Sequence, residues 1–114
     1  MSRKFKFIVF SQAVRGREDE YNDWYQNTHL REVCEVPGIV SAQRYKLAHD
    51  LAEDGSALPY AALYDIEADD WTAPFAGLGE NSSNGQMFLS ESLDLETLKG
   101  YIYEVCGEEV RRVL

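Results

Sequence analysis

A chain of 114 residues that is 45% hydrophobic and 12% aromatic has the apolar content of one folded domain with a modest core, here residues 1–114. Its 20 acidic and 11 basic residues give a formal net charge of −9, with no run of five or more lysines and arginines, so phosphate backbones and anionic membranes are poor partners. The apolar part of MSRKFKFIVF is too short for a signal-peptide core or a membrane span, and Cys34 and Cys106 lack CxxC spacing. The expectation is a reduced, cytoplasmic protein with two buried thiols.

Between Lys4 and Ser11 apolar residues fall on both faces at period two. Phe5, Phe7 and Val9 take one face, Lys6, Ile8 and Phe10 the other, which predicts a strand covered on both sides. Arg15-Gly16-Arg17 ends it. The carboxylates of Glu18, Asp19 and Glu20 suit a helix N-terminus, and the helix is expected to reach about Glu35, because the residue before Pro37 is pushed out of the helical region. Residues 39–48 and 59–67 are predicted as the second and third strands, joined by a polar hairpin connection. Asp69-Asp70 or Thr72 can cap a second helix with Trp71, Phe75 and Leu78 as its buried stripe and Pro74 in its first turn. Gly77, Gly79 and ENSSNG predict that this helix is short. Residues 85–96 fit either a short strand at MFL or a packed loop, and residues 99–106 alternate as a fourth strand.

The order β-α-β-β-α-β is the split βαβ arrangement: an α+β, ferredoxin-like domain whose antiparallel four-stranded sheet carries both helices on one face. The other face receives apolar residues whichever way the strands turn: Tyr45, Leu47, Tyr64 and Ile66, or Tyr101 and Tyr103. An open apolar face of that extent calls for a partner, and a homodimer through the sheet faces is expected.

The first helix holds the chemistry. On a wheel of ~100° per residue, the inward arc collects Tyr21, Trp24, Tyr25, Thr28, His29, Val33 and Val36, with Glu32 intruding. His29 is then either a hydrogen-bonded core residue or a general acid/base in a small apolar pocket, its pKa set by burial and a nearby carboxylate. Glu32 either reaches solvent, pairs with Arg44, or assists His29. No nucleophile elbow, P-loop or GxGxxG occurs. The only two histidines, His29 and His49, fall on different elements, so neither a metal site nor a bound cofactor is expected.

The pattern E-Y-N-x-W-Y-x-x-x-H-L-x-E-V-x-x-x-P-G-I-x-x-x-x-R-Y, from Glu20 to Tyr45, resembles the EthD-like proteins of the dimeric α/β barrel superfamily. The resemblance implies ferredoxin-like protomers that dimerise through their sheets, each with a cavity between sheet and helices, and it maps the helix histidine of that family onto His29. Relatives in the superfamily include polyketide cyclases, dehydratases, decarboxylases, isomerases, monooxygenases and stress-responsive proteins. The combined expectation is a cofactor-independent lyase, dehydratase or cyclase acting on a small apolar carbonyl or aromatic, polyketide-like compound. His29 would be its acid/base, Glu32 or Arg44 an electrostatic helper, and Phe7, Trp24, Tyr25, Tyr64 and Tyr103 its substrate contacts. A non-catalytic ligand-binding dimer and a cofactorless monooxygenase are the alternatives.

Overall fold

The strand that is apolar on both faces belongs in the middle of a sheet, and β1 (Arg3–Ser11) lies there. A computed structural model describes residues 2–113. It pairs β1 antiparallel with β3 (Tyr60–Ala68) on one side and β4 (Lys99–Glu104) on the other, with β2 (Ile39–Lys46) outside β3, giving the order β2-β3-β1-β4. This is the predicted α+β, ferredoxin-like sheet. Registers of Phe5 with Ile66, Phe7 with Tyr64 and Val9 with Ala62 set one apolar row against the helices. Tyr64 and Ile66 are therefore core residues, while Tyr45, Leu47, Tyr101 and Tyr103 are exposed.

The first helical stretch comprises α1 (Glu18–Trp24), a π-helical turn (Tyr25–His29) and α2 (Leu30–Cys34). It ends at the predicted Pro37-Gly38 turn. Gly38 has φ +96°, and a Cβ there would come within 2.8 Å of Pro74 Cγ, so the turn needs glycine for both conformation and space.

The second helix, α3 (Thr72–Ser83), is longer than expected. Asp70 opens it by accepting hydrogen bonds from the Thr72 amide and hydroxyl. The helix then continues through Gly77, because the bare glycine lets it lie against Val36: a Cβ there would sit 2.7 Å from Val36 Cγ1. Pro74 is in the first turn as predicted, and it is the buried residue of α3. The predicted buried stripe is corrected, since Trp71 and Phe75 are 42% and 46% exposed. Phe75 leans on Phe7 edge-on, with ring centroids 5.8 Å apart, at the border of a cavity rather than inside a solid core.

Residues 85–98 form the packed loop, without a strand at MFL. Backbone bonds tie it to the end of β1: Val14 N–H to Ser92 O at 2.7 Å and Asp94 N–H to Gln12 O at 3.1 Å, around the isolated bridge of Ala13 with Leu93. The thiols are also corrected: Cys34 is half-buried, and Cys106 is exposed after β4, where no layer covers it. No helix among the described residues is long and apolar enough to cross a membrane.

Candidate active site

The π turn decides which side chains of the first helical stretch face the sheet. The amide of Leu30 bonds the carbonyl of Tyr25, five residues back, so one extra residue enters the turn. A constant 100° wheel places Thr28 inward and Leu30 opposite Tyr21; the structure instead buries His29 and Leu30 together and leaves Thr28 half-exposed. Such turns recur at functional sites because they re-aim side chains that a regular helix would carry elsewhere.

His29 is 8% exposed. Its ring stacks on the Trp24 indole, with centroids 4.5 Å apart and planes at 27°, and meets the edge of Tyr25 at 5.0 Å. Its Nδ1 is buried with no hydrogen-bond partner among the described residues. Burial alone pushes its pKa down from 6.5 to about 4, so the imidazole is neutral at pH 7 and offers a lone pair rather than a proton.

Below the imidazole, between the sheet, both helical segments and the 85–98 loop, lies a cavity of about 310 Å³. Its wall is apolar, with Phe7, Val33, Leu78, Met87, Leu93 and Leu98 among its residues. Its polar groups are the His29 imidazole and the phenols of Tyr25 and Tyr64. Tyr64 donates a long hydrogen bond, 3.5 Å, to the Tyr25 oxygen, which leaves the Tyr25 proton free to point elsewhere. Burial pushes both phenols upward, so both stay protonated and act as donors. In Tyr25 the rise is partly offset by its hydrogen bond with Tyr64 and by the charge of Arg44. The site thus combines one neutral base with one free hydroxyl donor, Tyr25, backed by Tyr64, in an apolar cavity.

Of the residues expected from sequence, Phe7, Tyr25, His29 and Tyr64 line this cavity, and Trp24 backs the imidazole. Glu32, Arg44 and Tyr103 do not line it. Burial, reinforced by the charge of Glu35, raises the Glu32 carboxyl pKa, but no charge of Glu32 reaches His29, whose shift has burial as its cause. Arg44 pairs with Asn22 instead of Glu32: Nη2 donates to Asn22 Oδ1 at 2.7 Å. Its guanidinium lies 5.0 Å from the ring centres of Tyr25 and Tyr60, and 5.6 Å from that of Tyr21. Tyr103 is 56% exposed on the uncovered face of the sheet. Sequence reasoning missed the leucines of the 85–98 loop, which follow neither period 2 nor 3.6. Their one signal was a loop too rich in leucine to be merely solvated.

No family model matches the chain, and no curated protein matches it in sequence. Solved structures do match in fold. A Shewanella loihica protein with the provisional designation of monooxygenase superposes with a TM-score of 0.63 at 15% identity, over 95% of this chain and 99% of that one. An EthD family protein from Bacillus halodurans gives 0.53 at 15% identity, over 94% and 99%. HapK from Hahella chejuensis gives 0.56 at 16% identity, over 96% and 99%. The chain therefore has the same α+β fold, along nearly its whole length, as an EthD family protein.

Proposed function

We propose that this chain is an EthD-like, cofactor-independent enzyme that takes one small, largely apolar carbonyl or aromatic compound into the cavity. There His29 removes a proton beside an oxygen held by Tyr25, with Tyr64 donating to Tyr25 from behind, chemistry of the lyase, dehydratase or cyclase kind. One observation carries this reading: a neutral imidazole shares an apolar cavity of about 310 Å³ with two protonated phenols and no charged side chain. The Glu20–Tyr45 pattern and the fold shared with the Bacillus halodurans protein support the family.

The proton passes from carbon to an imidazole nitrogen, and the electron pair it leaves moves onto the substrate oxygen. Tyr25, itself accepting from Tyr64, donates to that oxygen more strongly as it becomes anionic. The same negative charge raises the basicity of the imidazole at the moment the proton moves, so a group that is weakly basic in the resting site serves as base. The imidazolium then returns its proton to the leaving oxygen or to the product carbon.

A second reading, oxidation of an activated phenol by dioxygen, draws on the fold shared with the Shewanella loihica protein. There the imidazole takes the O–H proton of the phenol instead of a C–H proton, and oxygen uptake during turnover separates the two readings. The test of the base is His29→Ala, assayed against a panel of aromatic and polyketide-like ketones and phenols. Affinity is expected to hold within a few-fold while turnover falls by roughly 10²–10⁴. Undiminished turnover would remove His29 from the chemistry; binding without turnover in the unaltered protein would leave a ligand carrier.

A further inference from the structure

The two cavity phenols form the inner end of a buried chain of hydroxyls. Ser11 Oγ and Tyr21 OH stand 2.6 Å apart, both shut off from solvent. A hydrogen bond with Ser11 also helps to restrain the Tyr25 pKa, and Tyr64 joins Tyr25 from the other side. Arg44 closes the outer end. It projects from β2 on the helix-facing side, opposite Ala62, into a box made by Tyr21, Tyr25 and Tyr60.

Its hydrogen-bond partner is a neutral amide. Asn22 Nδ2 is held by Glu18 O at 3.0 Å and Tyr60 OH at 3.3 Å, which turns Asn22 Oδ1 towards the guanidinium. No ion pair to Arg44 occurs among the described residues, although the chain carries 20 carboxylate side chains. Packing alone would be served by a methionine or leucine, and surface solubility by an arginine with a carboxylate neighbour. An always-protonated, weakly hydrated cation kept unneutralised against three phenol rings is a source of positive potential.

Resting on the reading of the cavity given above, we propose that Arg44 is a positioning residue. Without entering the cavity, it lends positive potential to the Tyr25–Tyr64 pair, so that this pair holds a ligand oxygen in its anionic form. The ligand class follows. A permanent carboxylate or phosphate would have to shed its water among leucines with no cation in contact. A neutral phenol or enolisable ketone enters without that cost, and its oxygen meets the potential of Arg44 only when it loses a proton. Arg44 is thus the electrostatic helper expected from sequence, acting through Tyr25 rather than on the substrate.

The test uses 1-naphthol, whose phenol and phenolate forms absorb differently, bound to the full-length chain and titrated by absorbance. Bound naphthol is expected to ionise about one pH unit higher in Arg44→Met than in the unaltered protein, a roughly tenfold drop in ionised fraction at fixed pH. Arg44→Lys, which keeps the charge, should restore most of the difference. Asn22→Asp gives the guanidinium a carboxylate partner in place and should mimic Arg44→Met, which keeps the test open if the Met variant fails to fold. Naphthol that binds all variants and ionises at one pH would overturn the role of Arg44 and leave the cavity standing. Naphthol that binds neither the unaltered protein nor the variants would overturn the cavity reading and this proposal with it.

Discussion

Burying an imidazole between Trp24 and Tyr25 penalises its protonated form, so His29 ties stability to pH as well as offering a base. Its folded pKa is about 4 against 6.5 in the unfolded chain. Between those values the unfolded chain binds a proton that the folded chain does not. The stability linked to His29 is complete above pH 6.5 and drains away as pH falls towards 4, by about 3 kcal/mol at most. The hydrogen-bonded carboxylates act lower: bonds from Gln12 to Asp94 and from Thr72 to Asp70 depress their pKa values below 3.8, so their contribution is lost only under that value. Glu32, raised by burial, runs in the opposite direction and gains on protonation. The urea midpoint should therefore drop between pH 7 and 4.5, and His29→Phe, which keeps a flat ring in the slot, should flatten that slope. An unchanged slope would mean that the imidazole is not desolvated in the folded chain.

Element α3 places two glycines two residues apart in opposite surroundings, and they should respond oppositely to alanine. At Gly77 a new Cβ would press on Val36 Cγ1 at 2.7 Å, and overpacking of this kind costs about 1–3 kcal/mol, more than the ~1 kcal/mol of helix propensity regained. At Gly79 nothing lies within 4 Å of the new Cβ, so Gly79→Ala should raise stability by up to ~1 kcal/mol. Urea denaturation of the two variants reads both signs, and equal effects would contradict the approach of α3 to Val36. The same glycines show what was legible in the chain. Sequence patterning revealed all four strands in chain order and the helix before Pro37, because burial on a sheet imposes period 2 directly and the proline ends the helix. It misjudged α3, since a glycine that permits helix contact looks in sequence like one that ends a helix. The wheel located His29 correctly but set Thr28 inward with it, because it assumes 3.6 residues per turn and the π turn spends one more. Arg44 was singled out by type, but its reach was not legible: β2 register, which no local pattern encodes, puts it beside Tyr25.

At the scale of the whole molecule the chain is a slab, 44 × 41 × 24 Å, with helices covering one side of the sheet. Its radius of gyration, 15.4 Å, exceeds the ~13 Å typical of a compact chain this long. The uncovered side is rich in apolar and aromatic residues. Ile8 stands between Leu63 and Tyr101 in the strand registers, and Phe10 packs on Tyr101 at 6.2 Å. Tyr45 and Tyr103 are exposed on the same face. Of the charges there, Lys6 is bonded to Asp65, to which Ser41 also donates at 2.8 Å, while Lys99 stands opposite Phe10 on the same face. We propose that a second copy covers it, giving the face-to-face homodimer, and that a stable contact buries more than roughly 1,000 Å². Sedimentation at micromolar concentration should show a dimer, and Tyr101→Glu with Tyr103→Glu should shift it to monomer by placing unpaired charge in the contact. A monomer for the unaltered chain would refute the assembly. The cavity beside His29 lies on the opposite side of the sheet from these tyrosines. The doubly substituted monomer should therefore still bind 1-naphthol with affinity unchanged within a few-fold. A loss of binding on dissociation would mean instead that the second copy completes the cavity.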